Sequence, residues 1–161
     1  MSKTIGIVAI KGGVGKTTIA SSLAFDLVHN CKKSVLLIDA NFSAPNLGLH
    51  ISILNPERTI HHVLDKKISM RGAVHSKFGI DVIPGNFAYN SKLGYLKLKD
   101  HIKKVKNDYD FVILDSSPSS NEELLSTILA SDSLFLVTTP DYPTISCYLK
   151  TAKLAKQRGH P

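Results

Sequence analysis

Residues 11–18 read Lys-Gly-Gly-Val-Gly-Lys-Thr-Thr, a run suited to holding phosphate. Gly12, Gly13 and Gly15 let the backbone curl so that successive N–H groups converge, in conformations a side chain obstructs. Lys16 supplies a cation for the outer phosphates of a nucleotide, and Thr17 a hydroxyl for Mg²⁺. Lys11, Val14 and Thr18 complete the segment. The strict pattern GxxxxGK(S/T) is not met, because Ile10 stands where its first glycine belongs. Two acids add to this chemistry. Asp39 closes the apolar run 34–39, and Asp115 closes the run 111–115. Mg²⁺ is a hard cation held through carboxylates, waters and phosphate oxygens.

These side chains need a scaffold that brings them to one edge. The chain alternates short apolar runs with helical patterns, the signature of βα units and a mostly parallel sheet. Strands are expected at residues 5–10, 34–39, 80–84, 111–115 and 134–138. Their apolar residues run on without alternation, so both faces of the sheet are covered by helices. Helical spacing appears at 17–30, where Ile19, Leu23 and Leu27 share one stripe. Further helices are expected at 59–65, 96–106 and 121–131, the last capped by Asn121. A final helix starts near Pro143 and stops at Gly159 and Pro161. The expected fold class is α/β, a mostly parallel sheet with helices on both faces, of the P-loop NTPase type. Ligands of such sheets sit beyond the carboxyl ends of the strands. The phosphate loop, Asp39 and Asp115 all fall on that edge.

The 161 residues suggest one domain, 1–161. Hydrophobic residues make up 43% of the chain, as in a globular protein. No run of eighteen apolar residues occurs, and the first residues do not read as a signal peptide. The two cysteines, Cys31 and Cys147, have no CxxC spacing. A disulfide framework or zinc site is disfavoured and a reducing cytoplasm fits. The formal charge of +7 favours anionic partners, whether nucleotide, nucleic acid or anionic lipid.

Together these segments resemble the MinD/ParA family of deviant Walker A ATPases. KGGVGKTT carries the likeness most strongly. VLLIDANFSAPNLGLH resembles the family's switch I, YDFVILDSSPS its Walker B and switch II, and SDSLFLVTTPDYPTIS its next strand and loop. The resemblance implies ATP as substrate, ADP as product, Mg²⁺ as cofactor and an ATP-dependent homodimer. It makes Lys11 the signature lysine, which reaches the partner's phosphates. Asp39 and Asp115 would serve the magnesium shell, through water, and Asn46 would help hold the attacking water. Cytoplasmic division-site or DNA-partition machinery would be the setting, with a regulatory protein partner and a membrane or nucleoid (DNA) surface.

Three departures qualify the likeness. Asn41 stands where the family carries an aspartate, and an amide cannot accept a proton as a carboxylate does. Ser119 replaces the usual glycine of switch II. Family members continue into further strands, so the domain would lack the last of them. Two other functions therefore stand beside the switch: a nucleotide-binding regulatory module with little hydrolysis, and a fragment that does neither. Of the weaker signals, His61-His62 reads as a solvated or packed surface. Lys92, Lys97, Lys99, Lys103, Lys104 and Lys106 read as a solvated outer face rather than a DNA-binding patch.

Overall fold

The apolar runs become the strands of one sheet. The computed structural model describes residues 2–89, 93–118, 122–157 and 159. Along the chain come β1 (Lys3–Val8), α1 (Lys16–His29), β2 (Val35–Ala40), α2 (Leu47–His50) and α3 (Ile60–Leu64). They are followed by β3 (His75–Lys77), β4 (Ile80–Ile83), α4 (Leu98–Lys103), β5 (Phe111–Ser116), α5 (Glu122–Ala130), β6 (Ser133–Leu136) and α6 (Tyr142–Gln157). The sheet order is β3-β4-β2-β5-β1-β6. Every pairing is parallel except β3 with β4. This is the expected α/β class.

Side chains alternate across the pleat, so each central strand feeds two cores. Val35 and Leu37 of β2 face α1, packing with Ala20, Ala24, Ile7 and Ile113. Leu36 and Ile38 face the other way and pack with Ile60, Leu98, Ile102 and Leu114. Both faces are thus dry, which is why the runs read as continuous rather than alternating.

Three elements differ from the sequence expectation, the first being the short helix α2, for which no helical pattern was read. Strand β3 was not anticipated: His75, Ser76 and Lys77 carry no apolar signal. The pairing comes from a tight turn at Phe78 and Gly79, both with positive φ (52° and 75°), which folds the chain back on β4. The expected helix at 96–106 is broken into a six-residue α4 between 3₁₀ turns at Tyr95–Lys97 and Lys106–Asp108. Its apolar positions Leu98, Ile102 and Val105 are nevertheless buried, so the stripe was legible although the helix was not continuous. Asn121, Ser119, Lys92, Arg158 and Pro161 lie outside the described residues.

Gly6 marks the tightest contact between β1 and its cover. A Cβ there would stand 2.5 Å from Ser131 Oγ and 2.9 Å from Leu134 Cδ2. Gly6→Ala should therefore destabilise the protein by about 1–3 kcal/mol, read as a lower urea midpoint with unchanged slope.

Candidate functional site

The chain leaves β1 at Val8, turns through residues 9–15 and enters α1 at Lys16. Gly13 and Gly15 have φ of 75° and 94°, values that L-residues rarely adopt. Nothing lies within 4 Å of a Cβ built on either. Gly12 is different: its φ is not positive, and a Cβ there would only touch Pro118 at 3.7 Å. The backbone curl therefore depends on Gly13 and Gly15. Gly15 caps α1 without a side-chain acceptor, and the first turn of α1 holds no acid. That leaves the helix end, with its partial positive charge, facing the cavity.

The cavity has a volume of about 280 Å³. Gly12, Gly13, Gly15, Lys16, Thr17 and Thr18 form one wall; Asn41, Asn46 and His50 form another, with Ser116 and Pro118 at the base. Val14 is half-buried in the loop and does not line it. Lys11 sits outside, exposed, with Nζ 3.3 Å from the Asp141 carboxylate. Lys16 is buried to 7% exposure. Burial pushes its ammonium below the usual lysine range, and Asp115 pulls it back up.

Asp39 and Asp115 are register partners on β2 and β5, each 1% exposed. Burial, and then the Asp115 charge, raise the Asp39 carboxyl to about 8. Backbone N–H groups of Asn41, Leu47 and Gly85 oppose that rise. Asp39 Oδ1 accepts from the Asn41 N–H and Oδ2 from the Leu47 N–H, both at 3.1 Å. Asp39 thus pins both ends of the loop between β2 and α2. Burial raises Asp115 to about 6, against the influence of Thr17, Lys16 and His50. The Thr17 hydroxyl is near enough to act on Asp115 but directs its hydrogen bond to Asn46 Oδ1, at 3.3 Å. Neither buried oxygen of Asp115 has a hydrogen-bond partner of good geometry.

The donors fit Mg²⁺. A buried carboxylate without a hydrogen-bond partner, a threonine hydroxyl and a cavity rich in N–H groups form a hard-oxygen site that a phosphate would complete.

Contacts that sequence reasoning did not foresee hold the wall opposite the phosphate loop. The Ser43 N–H and hydroxyl both donate to the buried carboxylate of Glu123 on α5. Of the two readings for His61, solvated or packed, the packed one holds: it is buried. Its Nε2 lies 2.9 Å from the Phe42 carbonyl, and its Nδ1 accepts the Asn86 N–H at 3.1 Å. Since Nδ1 accepts, Nε2 carries the proton and the ring is neutral, in line with burial lowering its pKa. The Asn41 amide donates to the Ala44 carbonyl at 2.6 Å.

A mostly parallel sheet, a loop of this shape at the first strand's carboxyl end and paired acids beside it define a P-loop nucleotide-binding protein. The AAA domain family model matches residues 2–158. An uncharacterized ATP-binding protein of Methanocaldococcus jannaschii is 34% identical over 163 residues, covering 98% of this chain and 60% of that protein. A virulence-plasmid ParA family protein of Chlamydia psittaci is 31% identical over 151 residues, covering 86% of this chain and 58% of that one. The septum site-determining protein MinD of Pyrococcus horikoshii, solved with Mg-ADP, superposes with a TM-score of 0.93 at 27% identity. That match covers 99% of this chain and 67% of the solved one. The chain therefore belongs to the AAA domain family, as a P-loop protein of the MinD/ParA type. It spans about three-fifths of the length of the curated relatives it matches.

The raised carboxyls make the nucleotide-free protein pH-sensitive. The folded state holds protons that the unfolded state releases from near pH 4. Stability is therefore greatest below about pH 4, falls as pH rises from there while the folded state still holds both protons, falls less steeply above about 6, and levels off above about 8. Between pH 6 and 8 the loss should be about 1 kcal/mol per pH unit. Asp115→Asn should raise the melting temperature of the nucleotide-free protein at pH 8 and abolish the added stabilisation by Mg²⁺ over nucleotide alone. Melting curves with and without Mg-ADP at both pH values check this.

Proposed function

We propose that this chain binds Mg-ATP in the 280 Å³ cavity and hydrolyses it slowly, as a nucleotide-dependent switch that pairs with a second copy. The single observation that carries the reading is the buried triad of Lys16, Asp39 and Asp115 around the Gly13–Gly15 loop. Burial disfavours the charged form of each, and a ligand carrying both phosphate and a cation would offset that penalty at all three. Backbone N–H groups of the loop and of the first turn of α1 would cradle the phosphates, with Lys16 on the outer ones. Thr17 would hold Mg²⁺ directly, and Asp39 and Asp115 would do so through water. The ion's role is to offset phosphate charge as the terminal group transfers to water.

Lys11 would exchange Asp141 for the phosphates of the second copy. Both side chains are partly exposed, at 46% and 39%. Such a pair contributes only about 0–1 kcal/mol, so the exchange costs little. The likeness to MinD and ParA proteins supports placing the switch in division-site or DNA-partition positioning in the cytoplasm, with a regulatory protein partner. Among the described residues, no helix is long and apolar enough to cross a membrane.

One observation favours a second reading, a nucleotide-binding regulator with little turnover. One N–H of the Asn41 amide is given to the Ala44 carbonyl, which fixes the side chain, and the amide oxygen is a poorer base than the carboxylate expected there. Asn46, bonded to Thr17, remains the polar group on that wall that could orient the attacking water.

Steady-state ATP turnover separates the two. Lys16→Ala should lose on the order of a hundredfold. Lys11→Ala should lose both turnover and nucleotide-dependent dimerisation, the latter read by light scattering with Mg-ATP. Equal turnover in both variants and the parent would sink the enzymatic reading. Asn41→Asp places a carboxylate against the Ala44 carbonyl. It should cost about 1 kcal/mol of stability yet raise turnover sharply. Unchanged turnover would show that position 41 does not limit hydrolysis.

A further inference from the structure

Among the described residues that line the phosphate cavity, Lys16 and His50 carry the titratable side chains. Lys16 is a buried cation suited to phosphate oxygens. His50 is exposed on the opposite wall, and its ring has no hydrogen-bond or ion-pair partner among the described residues. His29, His61, His62 and His75 each engage a protein partner through a ring nitrogen. His50 differs from them in keeping both ring nitrogens unspent beside a ligand cavity.

Helix α2 sets the place of this ring. Asn46 caps the helix and His50 closes it one turn later, with the His50 N–H bonded to the Asn46 carbonyl at 3.3 Å. Positions four apart share a helix face, so Asn46 and His50 stand one above the other on the cavity wall. Asp39 holds the Leu47 N–H and Thr17 holds the Asn46 amide oxygen, which fixes the start of α2 against the phosphate loop. On its far side His50 borders another cavity, of about 640 Å³, beside Phe25, Ile51 and Phe78. The charged groups around the ring are Lys16 and Asp26 of α1, Asp39 of β2 and Asp115 of β5, whose carboxyl His50 is near enough to influence. Asp26 is occupied by the Asn30 amide at 2.6 Å. Asp39 and Asp115 are each 1% exposed and do not line the phosphate cavity.

We propose that His50 is the proton acceptor for the water that attacks the terminal phosphate, a catalytic role that the amides of Asn41 and Asn46 cannot fill. The proposal rests on the reading that this cavity hydrolyses Mg-ATP. The water oxygen bonds to the terminal phosphorus while the bond from that phosphorus to the ADP oxygen breaks. The water's proton passes to an imidazole nitrogen and from there to bulk water, leaving ADP and phosphate. Asn46 orients the water and His50, one turn along, takes its proton. Histidine is the side chain whose charge ordinarily changes between about pH 5 and 8, so it can both accept and release a proton near neutrality. The exposure of His50 gives the released proton a path to solvent.

The test is steady-state ATP turnover of the full chain from about pH 5 to 9, with Mg-ADP affinity measured alongside. Turnover of the parent should fall as pH drops, because a protonated imidazole accepts nothing. His50→Gln, checked for an unchanged melting temperature, should lower kcat by at least about tenfold at the alkaline end and remove that acid limb. Its KM and Mg-ADP affinity should stay within about threefold of the parent. Any pH dependence from Asp39, Asp115 or Lys16 is common to both proteins and does not disappear with the ring. His50→Ala should regain turnover when imidazole is added, whereas Lys16→Ala should not. Asn41→Asp installs a second acceptor and should shrink the loss that His50→Gln causes. Unchanged kcat in His50→Gln, beside an active parent, would overturn the proposal and leave the hydrolytic reading standing. So would a loss carried wholly by KM with weaker nucleotide binding, since His50 would then be a phosphate contact. An inactive parent that still binds Mg-ADP would sink the hydrolytic reading and this proposal together.

Discussion

Two carboxyl groups stand side by side at the ends of β2 and β5, in register and shut off from water. A nonpolar pair would pack more comfortably there. The cost of keeping Asp39 and Asp115 shows as carboxyls raised to about 8 and about 6. Beside them Lys16 is buried and its ammonium disfavoured. A ligand carrying both anionic phosphates and a divalent cation answers all three groups at once. It would convert a destabilising arrangement into a stabilising one, so binding and stability are coupled through the same side chains.

The pairing also organises its surroundings. Asp39 accepts N–H bonds from both ends of the loop between β2 and α2, so a change at its carboxyl is felt across residues 41–47. That loop has two further anchors. Glu123 of α5 grips Ser43, and His61 of α3 grips the Phe42 carbonyl. Phe42 itself stacks on Tyr95 with ring centroids 5.0 Å apart. The wall opposite the phosphate loop is therefore tied to helices on one side of the sheet, and movement of α5 would move Asn41 and Asn46.

The phosphate loop and paired acids were legible because their chemistry is local: a glycine run after an apolar strand, and an acid at each strand's end. The covering of both faces followed from continuous apolar runs such as Val35–Ala40, whereas the strand order did not. What stayed hidden depends on contacts distant in sequence. Ser43 meets Glu123 across 80 positions, and His61 meets Phe42 across 19. Neither spacing follows a helical or strand period. Strand β3 was missed because its pairing comes from a turn with positive φ at Phe78, a residue type that gives no such signal. Gly12 was over-read: composition shows a glycine, but only backbone angles show which glycines need to be one.

Lys11 and Lys16 are the same residue five positions apart, and burial gives them different work. Lys16 is fixed at the start of α1, 93% removed from solvent by its 7% exposure, with an ammonium that the fold penalises until an anion arrives. A group so held recognises a ligand that enters its own cavity. Lys11 is nearly half exposed, and its bond to Asp141 joins the phosphate loop to the segment between β6 and α6. Screening makes that bond weak. A flexible cation on a weak tether is suited to reach for charge presented from outside. The proposed division between a lysine that would bind nucleotide and one that would link two copies thus rests on solvent access, set by where β1 ends and α1 begins.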